Sequence, residues 1–174
     1  LAVEMRNKGS LHALDVDPDR LEEARRRARR AGVHNLRARL VPAAGAEAET
    51  ATADLAGQAD LVLVDAPCSG LGTLRRKPDA RWRLEPSDPE RFAAIQRELG
   101  ARFARLVRPG GRLVYATCAV GRTENAEVAA FLAAAGPGLA DPEPDPGFLL
   151  YKAPHDEELC GREGCELLEL GSGA

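Results

Sequence analysis

Residues 59–70 read ADLVLVDAPCSG. Ala59 to Val64 is an apolar run of strand length, apolar enough to predict a strand covered on both faces. It stops at an acid, Asp65, which such a setting makes costly unless the carboxylate finds partners. Pro67-Cys68-Ser69-Gly70 follows as a loop. Taken alone, this loop is equally a plain turn holding a small core thiol and a functional site. The strand itself is the firmer inference, because a doubly covered strand belongs in a parallel sheet flanked by helices.

The segments around it alternate as such a sheet requires. Upstream, Ser10 to Val16 (SLHALDV) is a short apolar strand, and Pro18 to Ala31 is a helix. Asp17 is placed to cap that helix, Pro18 suits its first turn, and Gly32 ends it. Leu36 to Val41 is a second strand, while Pro42 to Gly57 is Ala-rich and fits helix or loop equally. Downstream, Phe92, Ile95, Leu99, Phe103 and Leu106 carry helical spacing across Pro89 to Leu106. Pro109-Gly110-Gly111 makes a turn, Arg112 to Thr117 a strand, and Glu124 to Ala135 a helix. A Pro/Gly-rich stretch runs from Gly136 to Gly147, and Phe148 to Lys152 with Cys165 to Leu170 form a final antiparallel pair. The prediction is a single α/β domain over residues 1–174, a doubly wound and mainly parallel sheet. Ligands of such folds sit at the carboxyl ends of strands, which sets Asp15, Asp65 and Cys118 along one rim.

Composition narrows the function. The 174 residues suffice for a real core, and 44% hydrophobic against 29% charged excludes a disordered chain. Four cysteines are too few to staple a scaffold of this length, and no apolar run is long enough to span a membrane. A reducing, cytoplasmic setting is the default. The net charge of −3 does not announce a nucleic-acid binder, but charge is unevenly placed. The arginines from Arg20 to Arg39 fit a solvated helix face. Arg75, Arg76, Lys77, Arg81 and Arg83 lie instead in a loop beside the Cys68 motif, where phosphate contact gains ground.

Three segments carry chemistry. Asp15, closing a strand, suits the acid that hydrogen-bonds ribose hydroxyls in nucleotide-binding sheets, with Asp17 one step beyond and Asp65 also expected at the cofactor; the competing reading, a helix cap, explains Asp17 better than Asp15. DAPCSGLGTLRRKPDARW (65–82) and LVRPGGRLVYATCAVGRTENAEV (106–128) then set Cys68 and Cys118 after two different strands. These two segments resemble the signature motifs of the RNA 5-methylcytosine methyltransferases, and LDVDPDRLEEARRRARRAGV (14–33) is similar to that family's ribose-binding segment. The resemblance covers most of Leu1 to Ala135. It implies a Rossmann-like class I methyltransferase using S-adenosyl-L-methionine, with RNA (ribosomal or transfer) as partner. It implies Cys118 as the nucleophile adding to cytosine C6, which calls for a partly ionised thiol in an electropositive, partly open site. By the same resemblance Asp65 contacts N3 and the exocyclic amine, Cys68 releases the finished RNA, and Pro67 shapes the pocket floor beside the cofactor. Arg75, Arg76, Lys77 and Arg81 are expected on the RNA backbone, and Trp82 in the core.

The chain also departs from that pattern. The family's glycine-rich cofactor loop is absent, so the domain is expected to be truncated at its N-terminus. Leu40-Val41-Pro42-Ala43 offers no carboxylate for the adenine, and Asp54 is a weak substitute. The ending CELLELGSGA admits a permuted reading with Glu169, Gly171 and Gly173 near the cofactor; the family's last strand followed by a Gly-Ser tail is preferred. Cys160, Cys165 and His155 have loose spacing for zinc, and no metal is expected. Two other functions remain open: an RNA-binding or assembly module without catalysis, and a small-molecule methyltransferase, which leaves the two cysteines unexplained.

Overall fold

The computed structural model describes residues 1–135 together with the backbone of residues 148–152 and 167–169. They divide into two compact units, Leu1–Asp54 and Leu55–Ala174.

In the first unit, strands β1 (Leu11–Asp15) and β2 (Leu36–Leu40) pair in parallel, Leu11 opposite Leu36 and Asp15 opposite Leu40. A short helix α1 (Ala2–Met5) precedes them, and α2 (Pro18–Arg30) connects them. Helix α2 begins as the sequence dictates. The Asp17 carboxylate accepts the amides of Asp19 (2.9 Å) and Arg20 (3.4 Å), and Pro18 occupies the first turn. Gly32 follows its end at φ +66°, a conformation that costs a residue with a Cβ. Its arginines form the solvated face expected of them: Arg25 and Arg29 pair with Glu22, and Arg26 and Arg27 with Glu23. The undecided Ala-rich stretch holds a short helix α3 (Ala46–Thr50) and a 3-10 turn (Ala53–Leu55). Asp54 is engaged by both terminal nitrogens of Arg39, at 2.5 and 2.8 Å, so its carboxylate serves an ion pair of this unit. That guanidinium holds the Asp54 carboxyl below its usual range.

The second unit carries the other sheet, in the order β3 (Ala59–Asp65), β4 (Val107–Thr117), β5 (Phe148–Lys152), β6 (Leu167–Glu169). β3 pairs in parallel with β4, and β4 in parallel with β5. Helices α4 (Asp88–Ala104) and α5 (Ala126–Ala135) supply its core. Val64, Leu113 and Tyr115 from the strands meet Ala93, Ala104, Val128, Ala129 and Leu132 from the helices. The helices approach closely where Gly100 faces Leu132. A Cβ at Gly100 would lie 2.5 Å from a Leu132 methyl, so the small residue is a condition of this packing.

Two expectations are corrected here. Among the described residues the ADLVLV strand is not covered on both faces, since Leu61 and Leu63 are 39% and 49% exposed. Val62 and Val64 take the helix side, so β3 alternates with period two as a strand covered on one face does. Consequently Asp65 is exposed and bears no burial cost. The second correction concerns Pro109-Gly110-Gly111, predicted as a turn before the strand. β4 already begins at Val107, and the pairing slips between Ala59 and Leu61, so that Ala59 faces Val107 while Leu61 faces Arg112. A bulge absorbs the extra residues, with Gly110 at φ +73° and Gly111 pressed against the Ala59 carbonyl, where a Cβ would come within 2.8 Å.

Candidate active site

The carboxyl ends of β3 and β4 bring two cysteines together. Asp65 faces Ala116 across the ladder, and the Ala66 amide continues it by donating to the Ala116 carbonyl at 3.0 Å. Beyond those pairs each chain turns away from the sheet. Cys68 and Cys118, 50 positions apart, meet with their Sγ atoms at 3.0 Å. The Cys118 amide also points at the Cys68 sulfur, at 3.4 Å. Both thiols are half-buried and free.

The two loops are also fastened through backbone. The Gly72 amide, in the 3-10 turn Leu71–Thr73, donates to the Cys118 carbonyl at 2.9 Å. A Cβ on Gly72 would stand 2.5 Å from that carbonyl oxygen, so only glycine permits the approach. On the other side of Cys118, the Thr117 hydroxyl donates to Asn125 Oδ1 (2.8 Å) and accepts the Ala119 amide (3.2 Å). The Asn125 amide then donates to the carbonyls of Ala119 (3.1 Å) and Gly121 (2.7 Å), closing the loop that follows Cys118 onto the start of α5.

Under this pair of loops lies a buried carboxylate. Glu124 is fully buried and accepts three hydrogen bonds: from the Ser69 amide (2.8 Å), the Ser69 hydroxyl (2.5 Å) and the Gln96 amide (3.1 Å). Gln96, on α4 and equally buried, also donates to the Pro67 carbonyl at 2.8 Å. Both neighbours of that nitrogen are acceptors, which fixes the orientation of the side-chain amide. The Tyr115 hydroxyl donates to the Glu124 carbonyl at 2.7 Å. Burial, then the Glu124 charge, pushes its phenol far above the ordinary value. The loop after β3, the loop after β4 and helix α4 therefore converge on one carboxylate. Among these residues Ser69, Gln96, Glu124 and Asn125 were not anticipated as site residues. The available signal was a Glu-Asn pair ahead of an Ala-rich helix, which reads as an ordinary acidic helix start.

The electrostatics of Cys118 also depart from expectation. Its thiol is pushed up to about 12, first by burial, then by hydrogen bonding and charge from Cys68, with a further push from Asp65. Only its own backbone acts the other way. Among the described residues, the charged side chain acting on the sulfur besides Cys68 is the Asp65 carboxylate, which opposes the thiolate. Cys118 is therefore a thiol at rest. Alkylation by iodoacetamide, followed on the Cys118 peptide by mass spectrometry, is expected to be slow at neutral pH and to keep rising beyond pH about 10, where an ordinary thiol levels off. Cys68→Ala removes the main influence after burial and should move the profile toward neutrality. A plateau below the ordinary thiol range would contradict this reading. The folded value lies above the unfolded one. The associated stability is therefore complete below the unfolded thiol's value of 9.0 and is lost as pH rises toward 12.

The remaining predicted residues fall as follows. Pro67 is exposed, and its carbonyl is held by Gln96. Arg75, Arg76, Lys77 and Arg81 are all exposed in the loop that follows Gly72. Trp82, expected in the core, is 78% exposed, with the Arg81 guanidinium 4.6 Å from its ring centre. In the first unit Asp15 ends β1 half-buried; one carboxylate oxygen accepts the Asp17 amide (2.9 Å), and the other has a long 3.9 Å contact with Arg20. That leaves acceptor capacity suited to a sugar diol, whereas Asp17 is committed to capping α2. Cys160, Cys165, His155, Gly171 and Gly173 lie outside the described residues. Among the described residues no group of three His, Cys, Asp or Glu could hold a metal ion, and no helix is long and apolar enough to cross a membrane.

Residues 1–136 match the family described as 16S rRNA methyltransferase RsmB/F. The chain is 43% identical over 124 residues to the probable ribosomal RNA small subunit methyltransferase B of Bacillus subtilis, covering 71% of this chain and 27% of that protein. It is 36% identical over 137 residues to the ribosomal RNA small subunit methyltransferase F of Cronobacter sakazakii, covering 79% and 28%. Among solved structures, NSun6 from Pyrococcus horikoshii with SFG superposes with a TM-score of 0.65 at 30% identity, over 76% of this chain and 32% of that one. A methyltransferase homolog protein from Pyrococcus horikoshii gives 0.57 at 32% identity, over 73% and 37%. The chain thus spans less than two fifths of each of these relatives, and its fold is Rossmann-like α/β.

Proposed function

The chain belongs to the 16S rRNA methyltransferase RsmB/F family, and from that premise we propose that it transfers a methyl group from S-adenosyl-L-methionine to C5 of a cytosine in RNA. The observation that carries the proposal is the meeting of Cys68 and Cys118, with sulfurs 3.0 Å apart, at the ends of two adjacent parallel strands. A small-molecule methyltransferase has no use for such a pair. A cytosine C5 methylase has two.

Cytosine C5 is a poor nucleophile until C6 carries an electron-rich substituent. The Cys118 thiol gives its proton to solvent, the thiolate bonds to C6, and the C5–C6 π electrons become available at C5. Bound S-adenosyl-L-methionine would supply an electrophilic methyl group, whose bond to the sulfonium would break as C5 bonds to it, with S-adenosylhomocysteine as the leaving group. A base then takes the C5 proton, the double bond reforms, and the Cys118 sulfur leaves. The raised Cys118 value makes ionisation the step the site must assist. The Asp65 negative charge opposes the thiolate. A protonated Asp65 donating to N3 would stabilise charge on the ring and lift that opposition at the same time. Cys68, against the nucleophile, is positioned to help it leave. Asp15 is the residue of this chain that fits the cofactor ribose, by the free acceptor capacity of its carboxylate. Arg75, Arg76, Lys77 and Arg81 face the RNA backbone as a loop of exposed cations. The family's antiparallel terminal pair is read in β5 and β6, supported by Leu150 opposite Leu168.

The test is an RNA carrying 5-fluorocytosine, whose C5 fluorine cannot be removed as a proton. Incubation with S-adenosyl-L-methionine should trap a complex that survives denaturing electrophoresis and maps by mass spectrometry to Cys118. Methyl transfer without any trapped complex would overturn the covalent route.

A further inference from the structure

Trp82 is the single tryptophan of the chain and stands 78% exposed, although a tryptophan carries the largest apolar surface of any residue. It ends the stretch RRKPDARWR, residues 75–83, which holds five cations and one acid in a chain whose net charge is −3. The Arg81 guanidinium lies over the ring at 4.6 Å, and Arg83 is paired with Asp79 at 2.7 Å. The loop is not slack. Its amides are bonded turn by turn, from Arg76 and Lys77 to the Thr73 carbonyl (both 2.9 Å), from Ala80 to Lys77 (3.0 Å) and from Arg83 to Ala80 (3.0 Å). At its root the Gly72 amide is bonded to the Cys118 carbonyl. An exposed aromatic ring is thus held in a cationic loop anchored to the cysteine pair.

We propose that Trp82 is a stacking platform for an unpaired nucleotide of the RNA substrate, held in the single-stranded stretch that carries the target cytosine. The proposal rests on the RNA reading above and adds a site to it. The cations select a polyanion. The ring adds what phosphate contacts lack, a flat apolar surface that any base can cover. A target base must leave its stack to reach a half-buried thiol, and a neighbouring base that stacks on protein offsets part of that loss.

Because Trp82 is the only tryptophan, its emission reports on the ring directly. The protein is titrated with a short single-stranded oligoribonucleotide, following tryptophan emission and, in parallel, anisotropy of a labelled copy. Saturable quenching with the same midpoint as the anisotropy change is expected. Trp82→Ala should bind about 5- to 150-fold more weakly, the range for loss of one base–aromatic stack, with an unchanged salt dependence. Trp82→Phe should recover most of the affinity. RNA binding with unaltered emission, or a Trp82→Ala variant of wild-type affinity and native circular dichroism, overturns the stacking site and leaves the RNA reading standing. No binding by the wild type overturns both. Blue-shifted emission insensitive to RNA shows the ring covered by protein and equally overturns the proposal.

Discussion

Cys118→Ala should lose all covalent complex with 5-fluorocytosine RNA, while Cys68→Ala should accumulate complex even with ordinary cytosine. The two sulfurs are 3.0 Å apart, yet their expected phenotypes are opposite. Under the proposed mechanism, the first substitution removes the atom that would bond to C6. Methyl transfer should fall by at least about 10³-fold, the scale of loss when a covalent nucleophile is deleted. RNA affinity should change little, since the thiol contributes one contact to an interface governed by phosphates. The second substitution leaves the proposed bond-forming sulfur in place and removes the thiol that would stand beside it when the adduct breaks down. It also removes the main influence, after burial, that raises the Cys118 thiol. Attack should become easier and release harder, and both changes enlarge the trapped fraction. Denaturing gels with labelled RNA read this directly. Equal trapping by both variants would remove Cys118 from its assigned role, and a Cys68→Ala variant with unaltered turnover would remove Cys68 from release.

The largest stability effect is expected at Glu124, which touches no reacting atom. Glu124→Ala leaves the Ser69 amide, the Ser69 hydroxyl and the Gln96 amide without their acceptor inside a site with no exposure, and opens a cavity as well. Each stranded buried donor costs about 1–3 kcal/mol, so the variant should lose roughly 3–5 kcal/mol, with some relief from water entering the space. Glu124→Gln keeps the shape and one acceptor oxygen, and the Ser69 hydroxyl can turn to accept from the new amide. The Ser69 and Gln96 nitrogens, which already share Oε1, keep that oxygen but lose its charge, and a loss of about 1–2 kcal/mol is expected. Urea unfolding followed by circular dichroism measures both. The Cys118 alkylation profile supplies a second readout, because the carboxylate holds the loop on which Cys68 lies. A Glu124→Ala variant as stable as the parent would show that the network is not intact in solution.

How much of this was legible beforehand differs by scale. Strand and helix positions followed from apolar spacing and from caps such as Asp17 and Pro18, whose effects are local. The meeting of Cys68 and Cys118 was legible because each follows a strand and parallel strands end on one side. What failed depended on neighbours distant in sequence. Leu61 and Leu63 look like core in a strand so apolar, yet only tertiary packing decides which faces are covered. Pro109-Gly110-Gly111 has the composition of a turn and is instead a bulge, because β3 continues to pair past it. Residue type points Trp82 to the core, and its loop holds it outside. The Glu124 network stayed invisible because a buried carboxylate is recognised by its donors, which come from two segments distant from it in sequence.

The Gly72–Cys118 contact carries a consequence for how such a protein can vary. Two segments far apart in the chain share one amide-to-carbonyl bond at 2.9 Å and a glycine that admits no methyl group. Neither can be lengthened, shortened or re-sculpted without its counterpart. A chimera that imports residues 65–73 from a homologue must import residues 117–125 with them, since the pair is inherited as one mechanical part.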